Sequence, residues 1–300
     1  MTAAEKRRIA SRADIRGRHR ISSFLRFLSA GRVWMASIGA AVVLLAGCSS
    51  GEPKGSTLQQ QLEQSAEAAS KPAAWTIEMK LAQQLEEGGK LTKLDMTTTG
   101  PIEREPLRMK QTIQTAFETE NSKLETYLTP DGYYMHDLTT DDWMKMAEDV
   151  LPQVKETLSD YQIRPSEPVS RLAKASDKVQ AEQKQDGHTE YIYSGDGKDE
   201  GARAIIDDVL RGTFGGGAMT KDVAASIQVE KFEYQLAVDS ATQLPSEVHM
   251  TMAISIAFTP NVRSTLNETL DIKYSGWNET PTIEVPEAAK KAELVAPPAG

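Results

Sequence analysis

Hydrophobic and polar residues alternate with a period of two over much of the chain. The clearest runs extend from Trp75 to Leu81 and from Val248 to Phe258. Successive side chains of a β-strand point to opposite faces, so this pattern predicts strands with one buried face. Turn residues such as Pro130-Asp131-Gly132 separate the earlier runs at near-regular spacing, which is typical of an antiparallel meander. The chain is therefore predicted to be rich in antiparallel strands.

Three segments have helical spacing instead. Leu58, Leu62, Ala66 and Ala69 share one face of a short amphipathic helix. The apolar positions from Trp143 to Leu158 predict a second helical section, capped by Thr140 or Asp141, with a kink at Pro152. A third helix is predicted over 199–211, with Gly212 as its stop signal. The predicted order is one helix, five strands, the helical section, two strands, one helix and three long strands.

Two further patterns concern the shape and the end of the domain. The alternation changes phase between Val229 and Phe232, which indicates a β-bulge. Bulges allow a sheet to bend strongly. After Pro286 the chain is rich in Ala, Lys and Pro without an apolar face, so residues 287–300 are predicted to be a disordered tail.

The first 47 residues have the pattern of a signal peptide. A long Arg-rich stretch precedes the apolar segment 33–45, which is too short to cross a bilayer comfortably. The segment closes with Leu45-Ala46-Gly47-Cys48, which resembles the lipobox of bacterial lipoproteins. The resemblance implies that residues 1–47 are removed and that Cys48 receives diacylglyceryl and palmitate chains. Residues 48–56 would then tether the protein to the extracytoplasmic face of the cell membrane.

Charge and cysteine content narrow the possible partners. The leader contributes +7 to a whole-chain charge of −9, so the remainder carries −16. Such an acidic exterior disfavours nucleic acid, whose phosphates attract basic surfaces. Cys48 is the only cysteine, so no disulfide forms within the chain and no cysteine-type zinc site is possible.

The segment after the tether resembles a known group of proteins. The resemblance is carried by the opening helix, the consecutive strands, the Tyr133-Tyr134-Met135 strand and the run from Asp141 to Lys145. It is similar to an uncharacterised family of Gram-positive lipoproteins with the fold of the LolA and LppX lipoprotein carriers. The resemblance implies a single domain over 57–286. Its fold class would be α+β, with a strongly curved antiparallel sheet, an open half-barrel, and helices covering the concave face.

In that fold the concave cavity receives acyl chains, and several residues here are candidates for its lining. All lie on the apolar parity of their strands, and thioether side chains adapt to ligands of varied shape. The candidates are Trp75, Ile77, Met79, Met96, Met109, Ile113, Met250, Met252 and Ile254. The alternative is that these side chains simply fill an ordinary core.

No motif for catalysis or metal binding stands out. His136, His188 and His249 are far apart in the sequence, and no Gly-x-Ser-x-Gly or phosphate-loop sequence occurs. We therefore expect a protein that is not an enzyme and needs no metal or cofactor. The leading hypothesis is a membrane-anchored extracytoplasmic lipoprotein that binds a hydrophobic or lipid ligand. The alternative is a cell-envelope interaction or sensory module with a solid core and no ligand.

Overall fold

A computed structural model describes residues 57–214, 218–259, 262–279 and 282–295 of the chain. The predicted signal peptide over 1–47, the tether over 48–56 and Cys48 lie outside these residues. None of the described helices is long and apolar enough to cross a bilayer.

One twelve-stranded sheet organises the described part of the chain. It is antiparallel except for the pairing of its last strand with β6, and its strand order is β12-β6-β5-β4-β3-β2-β1-β11-β10-β9-β8-β7. The strands are β1 (Ala74–Glu87), β2 (Lys90–Glu103), β3 (Arg108–Phe117), β4 (Glu120–Thr129), β5 (Gly132–Asp137), β6 (Asp142–Met146), β7 (Val179–Gln183), β8 (His188–Tyr193), β9 (Gln228–Asp239), β10 (Pro245–Thr259), β11 (Val262–Ser275) and β12 (Glu293–Val295).

Seven α-helices accompany the sheet in the described residues. They are α1 (Leu58–Ala69), α2 (Leu151–Glu156), α3 (Asp160–Ile163), α4 (Ser166–Lys174), α5 (Glu200–Phe214), α6 (Lys221–Ser226) and α7 (Glu287–Lys290), with short 3-10 turns at Glu148–Val150 and Ser176–Lys178. Helix α1 begins where Thr57 and Gln60 form a capping box, in which each side chain bonds the other residue's backbone N–H. Helix α1 packs on α4, and α4 packs on α5.

The sheet has one buried face because the period-two alternation is maintained along its long strands. In β10 the residues Val248, Met250, Met252, Ile254 and Ile256 are buried, and those between them are half-exposed. The bulge predicted between Val229 and Phe232 is confirmed, since the β9–β10 register shifts between the pairs Lys231–Ala253 and Val229–Ile254. The predicted fold class is confirmed as well: the sheet is curved and open, and helices cover its concave face.

The sequence prediction was wrong about the segment after Asp141. Residues 142–146 form strand β6, which pairs with β5 through His136–Trp143 and Met135–Met144. Trp143 and Val150 do fit helical spacing, but Met144 and Met146 are both buried and alternate as in a strand. The helix starts only at Leu151, with Pro152 in its first turn, where the missing N–H costs nothing.

Two boundaries also differ from the prediction. Helix α5 continues through Gly212 to Phe214, and Gly212 does not take the left-handed conformation with which glycine ends many helices. Residues 287–295, predicted to belong to a disordered tail, form α7 and β12. Pairing with β6 supplies the backbone partners that β12 could not find alone.

The two edges of the sheet are short. Strand β7 has five residues, and all but Val179 are exposed polar or small residues. At the other edge β12 has three residues and leaves Leu294 61% exposed.

Candidate functional site

A cavity of about 340 Å³ lies between the concave face of the sheet and the covering helices. Strands β1 to β5 and β11 contribute to it, together with the segment from Met146 to Gln162 and the end of α5. Its volume lies within the usual range for small-molecule sites, which begins near 300 Å³. The apolar lining residues are Met79, Leu81, Leu94, Met96, Met109, Ile113, Phe117, Leu128, Tyr133, Met135, Met146, Val150, Val154, Leu158, Tyr161, Val209, Phe214 and Leu270.

The two ends of the cavity differ in exposure. At one end it is bounded by Glu120, Asn121 and Ser122, which are exposed residues at the start of β4. We call this end the mouth. At the other end it is bounded by buried residues, among them Met109 and Met135. The cavity therefore reaches the protein surface beside the turn between β3 and β4.

Four of the nine predicted lining residues border this cavity: Met79, Met96, Met109 and Ile113. The other five, Trp75, Ile77, Met250, Met252 and Ile254, are at most 2% exposed and belong to the main hydrophobic core. All nine face the buried side of the sheet, as their parity predicted. What separates the two groups is where each residue lies along its strand and across the sheet, since helices fill the space above some positions and leave it empty above others.

Trp75 illustrates how the core residues are covered. Its indole Nε1 donates a hydrogen bond of 3.2 Å to the backbone oxygen of Gln162 in α3. Its ring packs against the ring of Trp277, and the two ring centroids are 5.8 Å apart. Tyr274 on β11 donates to the backbone oxygen of Tyr161 at 2.9 Å. These bonds hold α3 directly on the sheet, so no space remains above Trp75.

A buried ion-pair network fixes the same helices to one another. Asp160 in α3 is 3% exposed and binds Arg164 and Arg171, of which Arg171 comes from α4. Arg171 also lies 3.3 Å from Asp208 in α5, and burial raises the pKa of that carboxyl. The network joins α3, α4 and α5 into one cover over the concave face.

Sequence reasoning missed a polar group in the cavity wall. Glu268 lies between Leu266 and Leu270 on the buried parity of β11 and is 2% exposed. Gln83 Nε2 donates to Glu268 Oε2 at 2.8 Å, and Thr213 Oγ1 donates to the same oxygen at 3.4 Å. Burial raises the pKa of Glu268 to about 8. The detectable signal was a glutamate at an apolar position of an otherwise regular alternation.

A second polar position lies deeper in the cavity. Gln111 on β3 is 4% exposed, and its Nε2 has no hydrogen-bond partner. Its Oε1 is 3.5 Å from Gln162 Nε2, at the limit of a hydrogen bond. The cavity is thus mainly apolar with a few fixed polar groups, the usual composition of a small-molecule site.

No metal site was found within the described ranges, where no three His, Asp or Glu side chains converge. The nearest approach of such groups is pairwise, as in the 2.6 Å contact between His249 Nδ1 and Asp271 Oδ1 on the convex face.

Comparison with solved structures gives several distant similarities. LprF from Mycobacterium bovis is 13% identical, with 76% of this chain and 96% of that chain covered and a TM-score of 0.38. A "putative outer membrane lipoprotein-sorting protein domain" from Vibrio parahaemolyticus is 10% identical, with 73% and 92% covered and a TM-score of 0.22. A DUF1329 family protein from Desulfovibrio piger is 7% identical, with 72% and 90% covered and a TM-score of 0.19.

A lipoprotein-sorting domain is therefore among the structures that this chain is similar to, which is the kind of protein that the sequence resemblance implied. We draw no functional argument from these similarities, because their identities and TM-scores are low. No curated protein sequence matches the chain. Residues 57–293 match the model of a family described as a family of unknown function, DUF6612, and the chain belongs to that family.

Proposed function

We propose that this protein is a membrane-anchored extracytoplasmic lipoprotein that binds a hydrophobic or lipid ligand in the concave cavity. The observation that carries the proposal is the cavity itself, an apolar space of about 340 Å³ with a mouth at one end. Apolar cavities exclude water and bind apolar molecules instead. Transfer of a ligand's hydrocarbon from water into this space supplies the binding free energy, at about 25 cal/mol per Å² of buried apolar surface.

The side chains of the cavity suit chains of varied shape. Five methionines line it, and their unbranched thioethers change rotamer at low cost. They are Met79, Met96, Met109, Met135 and Met146. The cavity counts against the alternative of an interaction module with a solid core, because such a core would leave no space for a ligand.

A substitution that fills the cavity tests ligand binding. Met96→Trp places a large ring among the lining residues, and we expect it to weaken binding of the neutral fluorescent probe diphenylhexatriene by about tenfold or more. Met252→Leu is the matched control, since Met252 is buried outside the lining and this volume-conserving change is tolerated. Fluorescence titration of the full chain measures both. Equal affinity in wild type and Met96→Trp would contradict binding in this cavity.

Native mass spectrometry after gentle purification provides an independent test. We expect a bound apolar molecule in wild type and little or none in Met96→Trp. Recovery of only the free protein in both would weigh against a resident ligand.

The anchor rests on the Leu45-Ala46-Gly47-Cys48 sequence, and it has its own experiment. In a Gram-positive host grown with labelled palmitate, we expect the wild-type chain to take up label and to sediment with membranes. Cys48→Ala lacks the sulfur that is acylated, so it is expected to take up none and to lose membrane attachment, since stable anchoring needs two acyl chains. Uptake of label by Cys48→Ala would refute acylation at this residue.

A further inference from the structure

The cavity extends along strand β3. All the inward-facing residues of this strand border it, namely Met109, Gln111, Ile113, Thr115 and Phe117. Met109 and Phe117 are 117 − 109 = 8 residues apart, so the cavity is about 27 Å long at about 3.4 Å per residue. With C–C bonds of about 1.5 Å at tetrahedral angles, an extended alkyl chain advances about 1.25 Å per carbon, so about 20 carbons cover this length.

The exposure of the lining falls from the mouth toward the other end, which we call the inner end. On β3, Phe117 is half-buried, whereas Gln111 is 4% and Met109 is 2% exposed. Strand β4 shows the same gradient, from exposed residues at 120–122 to the buried Leu128, which pairs with Met109. The lining at the inner end includes the buried apolar residues Met109, Leu128, Met135, Met146 and Val150.

This gradient determines the direction in which a ligand with one polar end binds. A polar group that leaves water for an apolar site without hydrogen-bond partners costs several kcal/mol, whereas a methyl group gains from the same transfer. At the mouth, Glu120, Asn121 and Ser122 are exposed, so a polar end placed there stays in water. The apolar end of the ligand therefore points toward Met109.

We propose that the ligand carries one linear alkyl chain, which lies along β3 with its terminal methyl group beside Met109 and its polar end at the mouth. This inference rests on the proposed function and specifies the ligand class. The volume of about 340 Å³ lies near the lower limit of about 300 Å³ for small-molecule sites, which favours one chain over two. A compact ring system would leave the inner end empty.

A chain-length series tests this arrangement in the full chain. Saturated primary alcohols from decanol to tetracosanol, delivered from cyclodextrin, compete with diphenylhexatriene for the cavity. We expect the affinity to rise about fourfold with each buried methylene group. It is expected to level off near about 20 carbons, where the chain reaches the inner end. Cholesterol is expected to compete more weakly than octadecanol, and native mass spectrometry is expected to show one alcohol molecule per protein.

Variants at Met109 test where the chain ends. Met109→Trp fills the inner end, so its affinities are expected to level off about four carbons earlier, with decanol binding unchanged. Met109→Ala opens space there and is expected to shift the limit to longer chains. Met109→Leu is the matched control, because this volume-conserving change should keep the limit of wild type.

Nuclear magnetic resonance of wild type locates the chain without a variant. The protein carries methionine labelled with ¹³C at its methyl group, and octadecanol is labelled with ¹³C at its terminal methyl group. We expect a nuclear Overhauser effect between the terminal methyl group and Met109 and none with Met96, which pairs with Thr115 in the outer half of the cavity. The reverse result overturns the inference.

The outcomes separate this inference from the function on which it rests. If none of the alcohols displaces diphenylhexatriene, the proposed function fails and the inference fails with it. If the alcohols bind without a length limit, or if folded Met109→Trp and Met109→Leu share one limit, only the inference is overturned. Two alcohol molecules per protein would replace the single chain with a two-chain lipid, and tighter binding of cholesterol would replace it with a ring system.

Discussion

At the residue scale, Glu268 is a buried carboxyl group on the apolar face of strand β11. It is a carboxyl group at 2% exposure, on a strand whose neighbouring inward residues Leu266 and Leu270 are apolar. Among the described residues, the side chains that donate hydrogen bonds to its carboxyl group are the neutral Gln83 and Thr213. Burying an ionised carboxylate in such surroundings costs several kcal/mol, so the group retains its proton instead.

The first prediction concerns how stability depends on pH. The folded-state pKa of Glu268 is about 8, above the ordinary value of 4.5, so the folded protein binds more protons than the unfolded chain between these values. The free energy of unfolding therefore falls as pH rises from about 5 to about 9. Glu268→Gln cannot ionise. Its free energy of unfolding, relative to that of wild type, is therefore expected to rise over this pH range by on the order of 3 kcal/mol. Urea unfolding at both pH values measures the difference.

Glu120→Gln is the control, because Glu120 is exposed at the mouth and its removal should leave the pH dependence of wild type unchanged. Parallel stability curves for wild type and Glu268→Gln would show that Glu268 ionises in the folded protein as easily as in the unfolded chain.

The residue scale also shows what sequence could and could not give for the site. Strand parity identified the buried face correctly for all nine candidates, because alternation depends only on local geometry. Parity could not show that Met79 and Met96 line the cavity whereas Ile77 and Met250 lie in the core. That difference depends on where helices remote in sequence lie above the sheet. Gly212 and Thr213, at the end of α5, came into the site only because that helix runs over β11.

At the element scale, the cover of the cavity depends on a few polar contacts between short helices. Helices α2 and α3 have six and four residues, too few for stability on their own. Asp160 joins α3 to α4 through Arg171, and Arg171 joins α4 to α5 through Asp208. These ion pairs join the short helices, which share little apolar contact surface of their own.

The second prediction concerns this network. Asp160→Ala removes the acceptor that Arg171 shares with Arg164 and leaves a mostly buried guanidinium, whose side chain is 18% exposed, beside Asp208 alone. Breaking a buried ion pair in this way typically costs 3–5 kcal/mol, so we expect a loss of about 3 kcal/mol in the free energy of unfolding. Arg164→Ala is the matched control, because the Arg164 side chain is 63% exposed and its loss should cost under about 1 kcal/mol.

Equal losses for Asp160→Ala and Arg164→Ala in chemical denaturation would contradict a role for Arg171 in fastening the cover. Hydrogen exchange of the amides in α3 and α4 gives a more local measurement. It is expected to quicken in Asp160→Ala alone.

Among the elements, most strands were predictable from sequence, including the short β5, β7 and β8, whereas β6 and β12 were not. Strands β9 to β11 have enough alternating positions to define their period, and even the bulge near Lys231 was visible. In 142–158 the apolar positions satisfy both periods, and the pairing of β6 with β5 decides between them. Strand β12 has three residues and forms only because β6 offers it a parallel edge.

At the scale of the whole molecule, one apolar core extends from α1 to β11 and the cavity is a gap within it. Ligand binding is therefore linked to the stability of the entire domain, because no ligand fits the unfolded chain. A ligand at about 100 times its dissociation constant adds about 2.7 kcal/mol to the free energy of unfolding.

The third prediction follows for thermal unfolding. For a domain of this size each kcal/mol corresponds to about 2–4 °C, so a saturating apolar ligand such as diphenylhexatriene is expected to raise the unfolding midpoint by about 5–10 °C. Differential scanning calorimetry of the full chain measures this shift. Met96→Trp should show almost no shift, and a shift as large in that variant as in wild type would mean that the ligand stabilises the protein from another site.

The two edge strands of the twelve-stranded sheet determine whether copies of the protein associate through their sheets. An open sheet has unpaired backbone N–H and C=O groups on both edge strands. These groups can pair with strands of other chains unless the edge is short, charged or covered. Here one margin is a five-residue strand with Gln180, Glu182 and Gln183 facing water, and the other ends in three residues that pair in parallel with β6. At high local concentration, copies of this domain can therefore remain separate molecules without pairing edge to edge into fibrils.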